Sequence, residues 1–384
     1  MKKFLISCGG TGGHLAPGIA LAEGLIARGH SCCLVISCKG VDRRLTRKYP
    51  SLDFIAVPGS PFSMRPLRLG SFIWNQARGV IGSFRAIRSF SPDLVIGFGG
   101  FCTLGIALAA TFRGVPLVLH EANRIPGRAT RTLRRLAHRI YLPPGVRLRK
   151  VAPGVVRFYG CPVRREIRRL PSKSSREKLG IEAYGKLLVV LGGSQGASVL
   201  NNWVRENFKF LAEEGVHVFC VTGMDKGDAG VFQLESRGGQ PVKAHFVTFI
   251  DKISELLSAA DLVVTRAGAG TISELIRCRV PAILIPYPYA ADNHQWANAV
   301  FVERQGGGIA ISQDFIQDLR QEVLDTIFND WLLRTFRSNL ERMDRKDCLK
   351  GIINDLESLS DRNARERKAA GFLQFARKRS ASAP

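Results

Sequence analysis

Residues 9–14 of this 384-residue chain read Gly-Gly-Thr-Gly-Gly-His. Four glycines around a hydroxyl and an imidazole are the residue types that let a backbone close on an anion. Glycine has no Cβ to hold a phosphate off and accepts positive φ, while the N–H groups opening a helix carry partial positive charge. Histidine is the side chain best suited to take up a proton near neutral pH, and His14 supplies one. A second run of this kind, Gly-Gly-Ser-Gln-Gly-Ala, stands at 192–197, and two further glycine turns stand at 97–101 (Gly-Phe-Gly-Gly-Phe) and 266–270 (Arg-Ala-Gly-Ala-Gly). One such turn is also an ordinary strand-to-helix connection without a ligand. Four of them, each after an apolar run, point to a phosphate-bearing ligand held in a cleft between two domains.

Other phosphate chemistries fail on spacing. Residues 10–15, Gly-Thr-Gly-Gly-His-Leu, lack the third glycine of a dinucleotide fingerprint, and no Gly-x-x-x-x-Gly-Lys-Ser/Thr run occurs. No Asp-x-Asp pair is present, and the nine cysteines are scattered without Cys-x-x-Cys spacing. The cysteines therefore read as buried thiols rather than disulfides or zinc ligands. The expectation is no metal and no cofactor, with a diphosphate neutralised by helix ends, backbone amides and arginine.

The elements that must position these turns alternate in type. Apolar runs at 4–7, 33–36, 54–57, 94–96, 117–119 and 139–142 predict strands, with helical patterns at 19–27, 72–90 and 104–112. The pattern repeats with strands at 187–191, 216–221, 244–247, 262–264 and 282–285, and helices at 197–211, 253–259, 271–276, 293–304 and 315–328. This predicts an α/β protein of two Rossmann-like, doubly wound parallel-sheet domains. The domains are expected at 1–160 and 161–345, with a linker around 162–171. A helix at 346–359 could return to the first domain, and a basic tail at 360–384 reads as disordered. The net charge of +24 favours an anionic partner. Aromatics interleaved with basic residues are not evident, which disfavours nucleic acid. No apolar stretch reaches the ~20 residues of a membrane span, and the apolar run after Lys2 and Lys3 stops too early for a signal peptide, so the chain is expected in the cytoplasm.

In combination, Gly9–His14, Gly97–Phe101, His-Glu-Ala-Asn at 120–123, Pro-Val-Arg at 162–164, Gly192–Ala197, Phe-Ile-Asp at 249–251, Ala267–Glu274 and Asp292–Ala299 resemble the MurG family of peptidoglycan glycosyltransferases. The resemblance implies a GT-B fold, with an acceptor- and membrane-facing first domain and a UDP-sugar-binding second one. The reaction implied is inverting transfer of N-acetylglucosamine from UDP-N-acetylglucosamine to undecaprenyl-diphospho-muramoyl-pentapeptide, lipid I to lipid II. It implies donor-loop contacts at Thr11, Gly12 and Gly13 and a general base at His14, with Glu121 second. Asn123 and Gln295 would meet the donor sugar, Arg164 the diphosphate or nucleotide, and Ser194 the donor at the start of a helix. Ile250 would clamp uracil through its main chain. Ala269, Gly270, Thr271, Ile272, Ser273 and Glu274 would form the helix-terminus segment, with Glu274 on the ribose hydroxyls. Cys161 and Ala122 depart from the family pattern, where Asn and Gln are common; neither change removes a charge.

A lipid acceptor implies peripheral contact with the cytoplasmic face of the inner membrane. Leu67, Arg68, Phe72, Ile73, Trp74 and Arg78 mix large apolar and basic residues at helical spacing and would contact an anionic surface. The same residues also suit a core-packed helix with a basic outer face. Two other functions fit parts of the chain: a UDP-N-acetylglucosamine 2-epimerase of the same fold, and a basic nucleic-acid-binding protein.

Overall fold

The computed structural model describes residues 1–10, 12–38, 46–58, 66–193, 196–224, 226–227, 229–344 and 348–381. The chain forms two compact units: Met1–Glu121, Arg128–Pro162 and Asp347–Pro384 make the first, and Ala122–Gly127 with Val163–Lys346 the second.

Among the described residues the first unit holds a seven-stranded sheet: β1 (Lys3–Ser7), β2 (Ser31–Ser37), β3 (Asp53–Val57), β4 (Leu94–Gly97), β5 (Leu117–His120), β6 (Arg139–Leu142) and β7 (Val156–Phe158). Its order is β3-β2-β1-β4-β5-β6-β7, parallel throughout. Phe4, Leu5 and Ile6 are each 0% exposed, because a parallel strand is covered on both faces and must be apolar in every register position. Phe4 and Ile6 join α1 (Gly12–Ile26) in one core layer, and Leu5 joins α2 (Pro66–Phe90) and α3 (Phe101–Phe112) in the other. A short helix, α4 (Arg128–Leu133), follows β5.

The second unit repeats the plan with β8 (Lys186–Leu191), β9 (Val216–Val221), β10 (Gly230–Glu235), β11 (Pro241–Val247), β12 (Leu262–Thr265), β13 (Ala282–Leu284) and β14 (Gly308–Ala310). The order is β10-β11-β9-β8-β12-β13-β14, parallel except for the β10–β11 edge pair. Around it lie α5 (Ser172–Leu179), α6 (Ser198–Glu213), α7 (Ile253–Ala259), α8 (Ala269–Cys278), α9 (His294–Arg304), α10 (Leu319–Ile327) and α11 (Asp330–Asp344).

In each sheet the strand order reverses direction beside the strand formed first in its unit, at β1/β4 and β8/β12. The connections leave such neighbours towards opposite faces, which opens a crevice at their carboxyl ends. All four glycine turns sit at those ends.

Strands β7, β10 and β14 escape a reading of apolar runs. The first and last have three residues each, and β10 is largely exposed. The stretch expected as a linker, within which the units divide between Pro162 and Val163, is laid along α7: Arg168 N donates to Ser254 Oγ at 3.1 Å and Leu170 N to Ser258 Oγ at 3.0 Å. The last helix, α12 (Cys348–Ala381), extends into the stretch expected as a basic tail at 360–384. Residues 361–381 are rich in Ala and Arg, good helix formers, and hold no proline.

The start of α12 completes the first unit. Ile352, Ile353 and Leu356 enter its core beside Leu21 and Leu25 of α1. A Cβ on Gly24 would come within 2.7 Å of Ile353 Cδ1 and 3.2 Å of Leu349 Cδ2, so any larger residue there has to displace those side chains. The fully buried Tyr141 donates its hydroxyl to Asp355 at 2.9 Å, and Arg139 pairs with the same carboxylate at 3.5 Å. Removing that acceptor leaves the buried Tyr141 hydroxyl without its partner and takes away the carboxylate beside Arg139. Asp355→Ala is therefore expected to lower the unfolding free energy by about 2 kcal/mol, measured by urea denaturation, and Tyr141→Phe, which deletes the donor as well, by less.

Candidate active site

In the first unit the two glycine turns lock onto each other. The N–H groups of Cys8 and Gly9 both donate to Val35 O, at 3.0 and 3.1 Å, and a Cβ on Gly9 would overlap Ser37 N. Thr11 lies outside the described residues. Gly12 and Gly13 form the opening of α1, so the helix begins inside the motif rather than at residue 19. A proline breaks the periodicity at Pro17, within the helix, which is why spacing placed the start beyond it. The first-turn N–H groups have no intrahelical acceptor and lie within the glycine run. After β4, Gly99 and Gly100 adopt φ of +96° and +76°. A Cβ on Gly100 would stand 2.9 Å from Gly9 O and 3.2 Å from His14 Nδ1, and one on Gly99 3.4 Å from His14 Nε2. The half-buried imidazole of His14 thus lies against the backbone of the second turn.

The end of β5 brings His120 and Glu121 to the same sheet edge. His120 is 1% exposed and donates from Nε2 to Gly160 O at 3.0 Å, with its ring 4.8 Å from that of Phe98. Burial pushes this imidazole down to about 4, so it is neutral at physiological pH and serves as a structural donor. Glu121, also buried, accepts the Thr130 hydroxyl of α4 at 3.0 Å and donates its N–H to Tyr141 O at 2.9 Å.

In the second unit Ser194 and Gln195 lie outside the described residues. Beside them Gly196 takes φ +68°, and a Cβ on it would overlap Thr222 O. After β12, α8 opens at Ala269 with no acidic residue in its first turn. Within 269–274 the roles divide. Ile272 is buried and donates its N–H to Gly268 O, and Ser273 Oγ donates to Ala269 O at 2.8 Å. That leaves the N–H groups of Ala269, Gly270 and Thr271 at the positive end of the helix, and the carboxylate of Glu274 one turn on. Arg164, nearly buried, reaches Glu274 Oε1 at 2.9 Å and Glu166 Oε1 at 3.1 Å. Arg164 and Glu274 were expected to act separately, and the fold joins them into one ion pair. Ile250, half-buried between β11 and α7, packs against this unit's core.

Asn123 belongs to the second unit although its flanks belong to the first. Its Oδ1 accepts from Asn298 of α9 at 3.1 Å. Gln295, three residues earlier on α9, accepts from Tyr287 N at 2.9 Å. Two residues escape the sequence reading of the site. Asn298 is quoted there only as part of a motif, and a polar residue one helical turn after Gln295 was the available signal. Arg266, directly after a fully apolar strand, was the other. It is buried, and its guanidinium donates to Ile285 O and Pro286 O, both at 3.2 Å, and to Gln313 Oε1 at 2.6 Å. These neutral oxygens fix the cation beside the turn that opens α8 without cancelling its charge.

Of the residues expected at a membrane, Trp74 is 66% exposed and Arg78 is exposed on α2. The backbone of Leu67, Arg68, Phe72 and Ile73 is helical, and their side chains lie outside the described residues. Ile81 of α2 and Leu108 and Phe112 of α3 are exposed as well, and the Phe112 ring meets Phe84 at 5.7 Å, edge to face.

Two α/β units, each with phosphate-type turns at its switch point, form the architecture of a nucleotide-sugar enzyme, and comparison with known proteins narrows this to a glycosyltransferase. Residues 4–142 match the glycosyltransferase family 28 N-terminal domain, and residues 187–350 the glycosyltransferase family 28 C-terminal domain. The chain is 58% identical to the UDP-N-acetylglucosamine–N-acetylmuramyl-(pentapeptide) pyrophosphoryl-undecaprenol N-acetylglucosamine transferase of Opitutus terrae, over 94% of this chain and 96% of the relative. It is 31% identical to the Halothermothrix orenii protein of the same name, over 92% and 98%. The crystal structure of Acinetobacter baumannii MurG shares the fold at a TM-score of 0.70 and 22% identity, covering 93% of this chain and 100% of that one. The chain belongs to the MurG family of hexosyltransferases.

The buried His120 makes the first unit sensitive to acid. Its folded-state pKa near 4 lies below the unfolded value near 6.5, so the unfolded chain binds more protons between those values. Stability is then fully present above about pH 6.5 and is lost as pH falls towards 4. The melting temperature is expected to drop from pH 7.5 to pH 5, and His120→Gln is expected to flatten that slope.

Proposed function

We propose that this chain transfers N-acetylglucosamine from UDP-N-acetylglucosamine to the undecaprenyl-diphosphate-linked muramoyl-pentapeptide, converting lipid I to lipid II in peptidoglycan synthesis. The carrying observation is 58% identity with a relative of that printed activity over 94% of the chain. The second unit holds the donor. The N–H groups opening α8 and the Gly192–Ala197 turn receive the diphosphate, Ile250 meets uracil through its main chain, and Glu274 accepts the ribose hydroxyls. Arg164 holds that carboxylate in place and, being engaged there, acts on the nucleotide through Glu274 rather than on the diphosphate. The field of Arg266 and the helix N-terminus offset the charge that develops on the leaving group. Asn123 and Gln295 meet the sugar.

The first unit supplies the base. The acceptor 4-hydroxyl attacks the anomeric carbon in line, the bond to the diphosphate oxygen breaks, and its electron pair leaves with UDP. His14 takes the hydroxyl proton, since its ring is held by the turn backbones yet remains only half-buried. Glu121, more deeply buried and engaged by Thr130, is the second choice. Incubation with labelled UDP-N-acetylglucosamine and a short-chain lipid acceptor is expected to yield the disaccharide product. His14→Ala is expected to lower turnover about a hundredfold or more with UDP affinity kept within a few fold. Normal turnover with weakened UDP binding would remove His14 from the role, and release of a free epimerised sugar nucleotide without acceptor would replace the whole reading.

We also propose peripheral attachment to the cytoplasmic face of the inner membrane. No helix among the described residues is long and apolar enough to cross a membrane. Instead Trp74, Ile81, Leu108 and Phe112 gather exposed apolar area on α2 and α3, and Arg78, Arg85, Arg88 and Arg113 are exposed on or beside the same helices. Aromatic and aliphatic groups rimmed by arginine suit an anionic interface better than bulk water, and the charge of +24 is assigned to that surface rather than to nucleic acid. Sedimentation with anionic vesicles is expected to carry the protein down at low salt and less at high salt. Trp74→Glu with Phe112→Glu is expected to abolish sedimentation while turnover of a soluble acceptor persists; unchanged sedimentation would exclude this patch.

A further inference from the structure

Asn298 sits one turn along α9 from Gln295, is 3% exposed, and has three separate hydrogen-bond partners. Its Nδ2 donates to Asn123 Oδ1 at 3.1 Å and to Ala267 O at 3.0 Å. Its Oδ1 accepts the Arg124 N–H at 2.9 Å. One buried amide therefore fastens two segments to α9: the 122–127 loop, which leaves and rejoins the first unit's chain, and the turn that opens α8. A second clamp helps it, with the Arg124 guanidinium stacked 4.1 Å over the ring of Phe301, also on α9.

The bonding fixes orientation as well as place. The side-chain oxygen of Asn123 accepts from Asn298, and that of Gln295 accepts from Tyr287 N. For Gln295 this points the NH2 end, not the oxygen, away from the backbone and towards a ligand's acceptor oxygen. For Asn123 it fixes the place and the plane of the amide. A sugar contact made by a group held this way depends on that placement, and a displaced amide loses it.

We infer that Asn298 is a positioning residue for the donor sugar, setting the place and amide orientation of Asn123 without itself touching the ligand. This rests on the reading above that Asn123 meets the sugar of the UDP-sugar. The uracil, ribose and diphosphate contacts lie elsewhere in the second unit, so the sugar's share of affinity is separable from the nucleotide's.

Isothermal titration of UDP and of UDP-N-acetylglucosamine against the full-length protein tests this. Asn298→Ala is expected to weaken UDP-N-acetylglucosamine about tenfold and to leave UDP within twofold. Adding Asn123→Ala is expected to cost nothing further, since both changes remove the same contact. Equal loss for both ligands would mean a general structural role and overturn the inference, as would unchanged binding of the sugar nucleotide. If Asn298→Ala does not fold by circular dichroism, Asn298→Ser, which retains a hydroxyl for one of the three partners, is expected to give the same split and is judged by the same outcomes. Asn123→Ala alone leaving UDP-N-acetylglucosamine affinity intact would instead remove Asn123 from the sugar site, a failure of the underlying reading that this arm detects by itself.

Discussion

A parallel strand covered on both faces has to release its chain at the carboxyl edge of the sheet, and it does so where the next helix shows unpaired N–H groups. Both units of this protein depend on that constraint. Their sheets reverse order at β1/β4 and β8/β12, and at each reversal two adjacent strands end in glycine turns. Backbone N–H groups and helix ends converge there because the sheet leaves them nowhere else to be satisfied. A sugar diphosphate is the kind of ligand such edges suit: strongly anionic, and able to accept several hydrogen bonds at once.

Side chains then refine what the backbone offers. His14 is held against a second turn that only glycine could form so closely. Arg164 and Glu274 form a pair in which the cation orients the carboxylate, and Arg266 places a charge on neutral oxygens where it stays effective. His120, which looks reactive in the sequence, is kept neutral by burial and spends its proton on a carbonyl. These groups differ less in type than in surroundings, and the surroundings assign their roles.

Much of this was legible beforehand. Runs such as Phe4–Ile6 and Leu187–Leu191 marked buried strands because nothing polar interrupts them, and the glycine turns after them marked the ligand edge. The start of α1 was misjudged because Pro17 masks helical continuity. The three short or exposed strands carry too few apolar residues to register. The pairing of Arg164 with Glu274, 110 positions apart, has no local signature at all.

The order of residues along the chain was enough to determine the alternating α/β plan, the four phosphate-type turns and the family, because periodicity and glycine spacing are local properties. Only the tertiary structure decided which donors and acceptors meet: that Asn298 ties Asn123 to the second unit, that Arg164 serves Glu274, and that Asp355 receives the Tyr141 hydroxyl. Those outcomes depend on burial and on hydrogen bonds between residues distant in sequence, which exist only once the sheets have assembled.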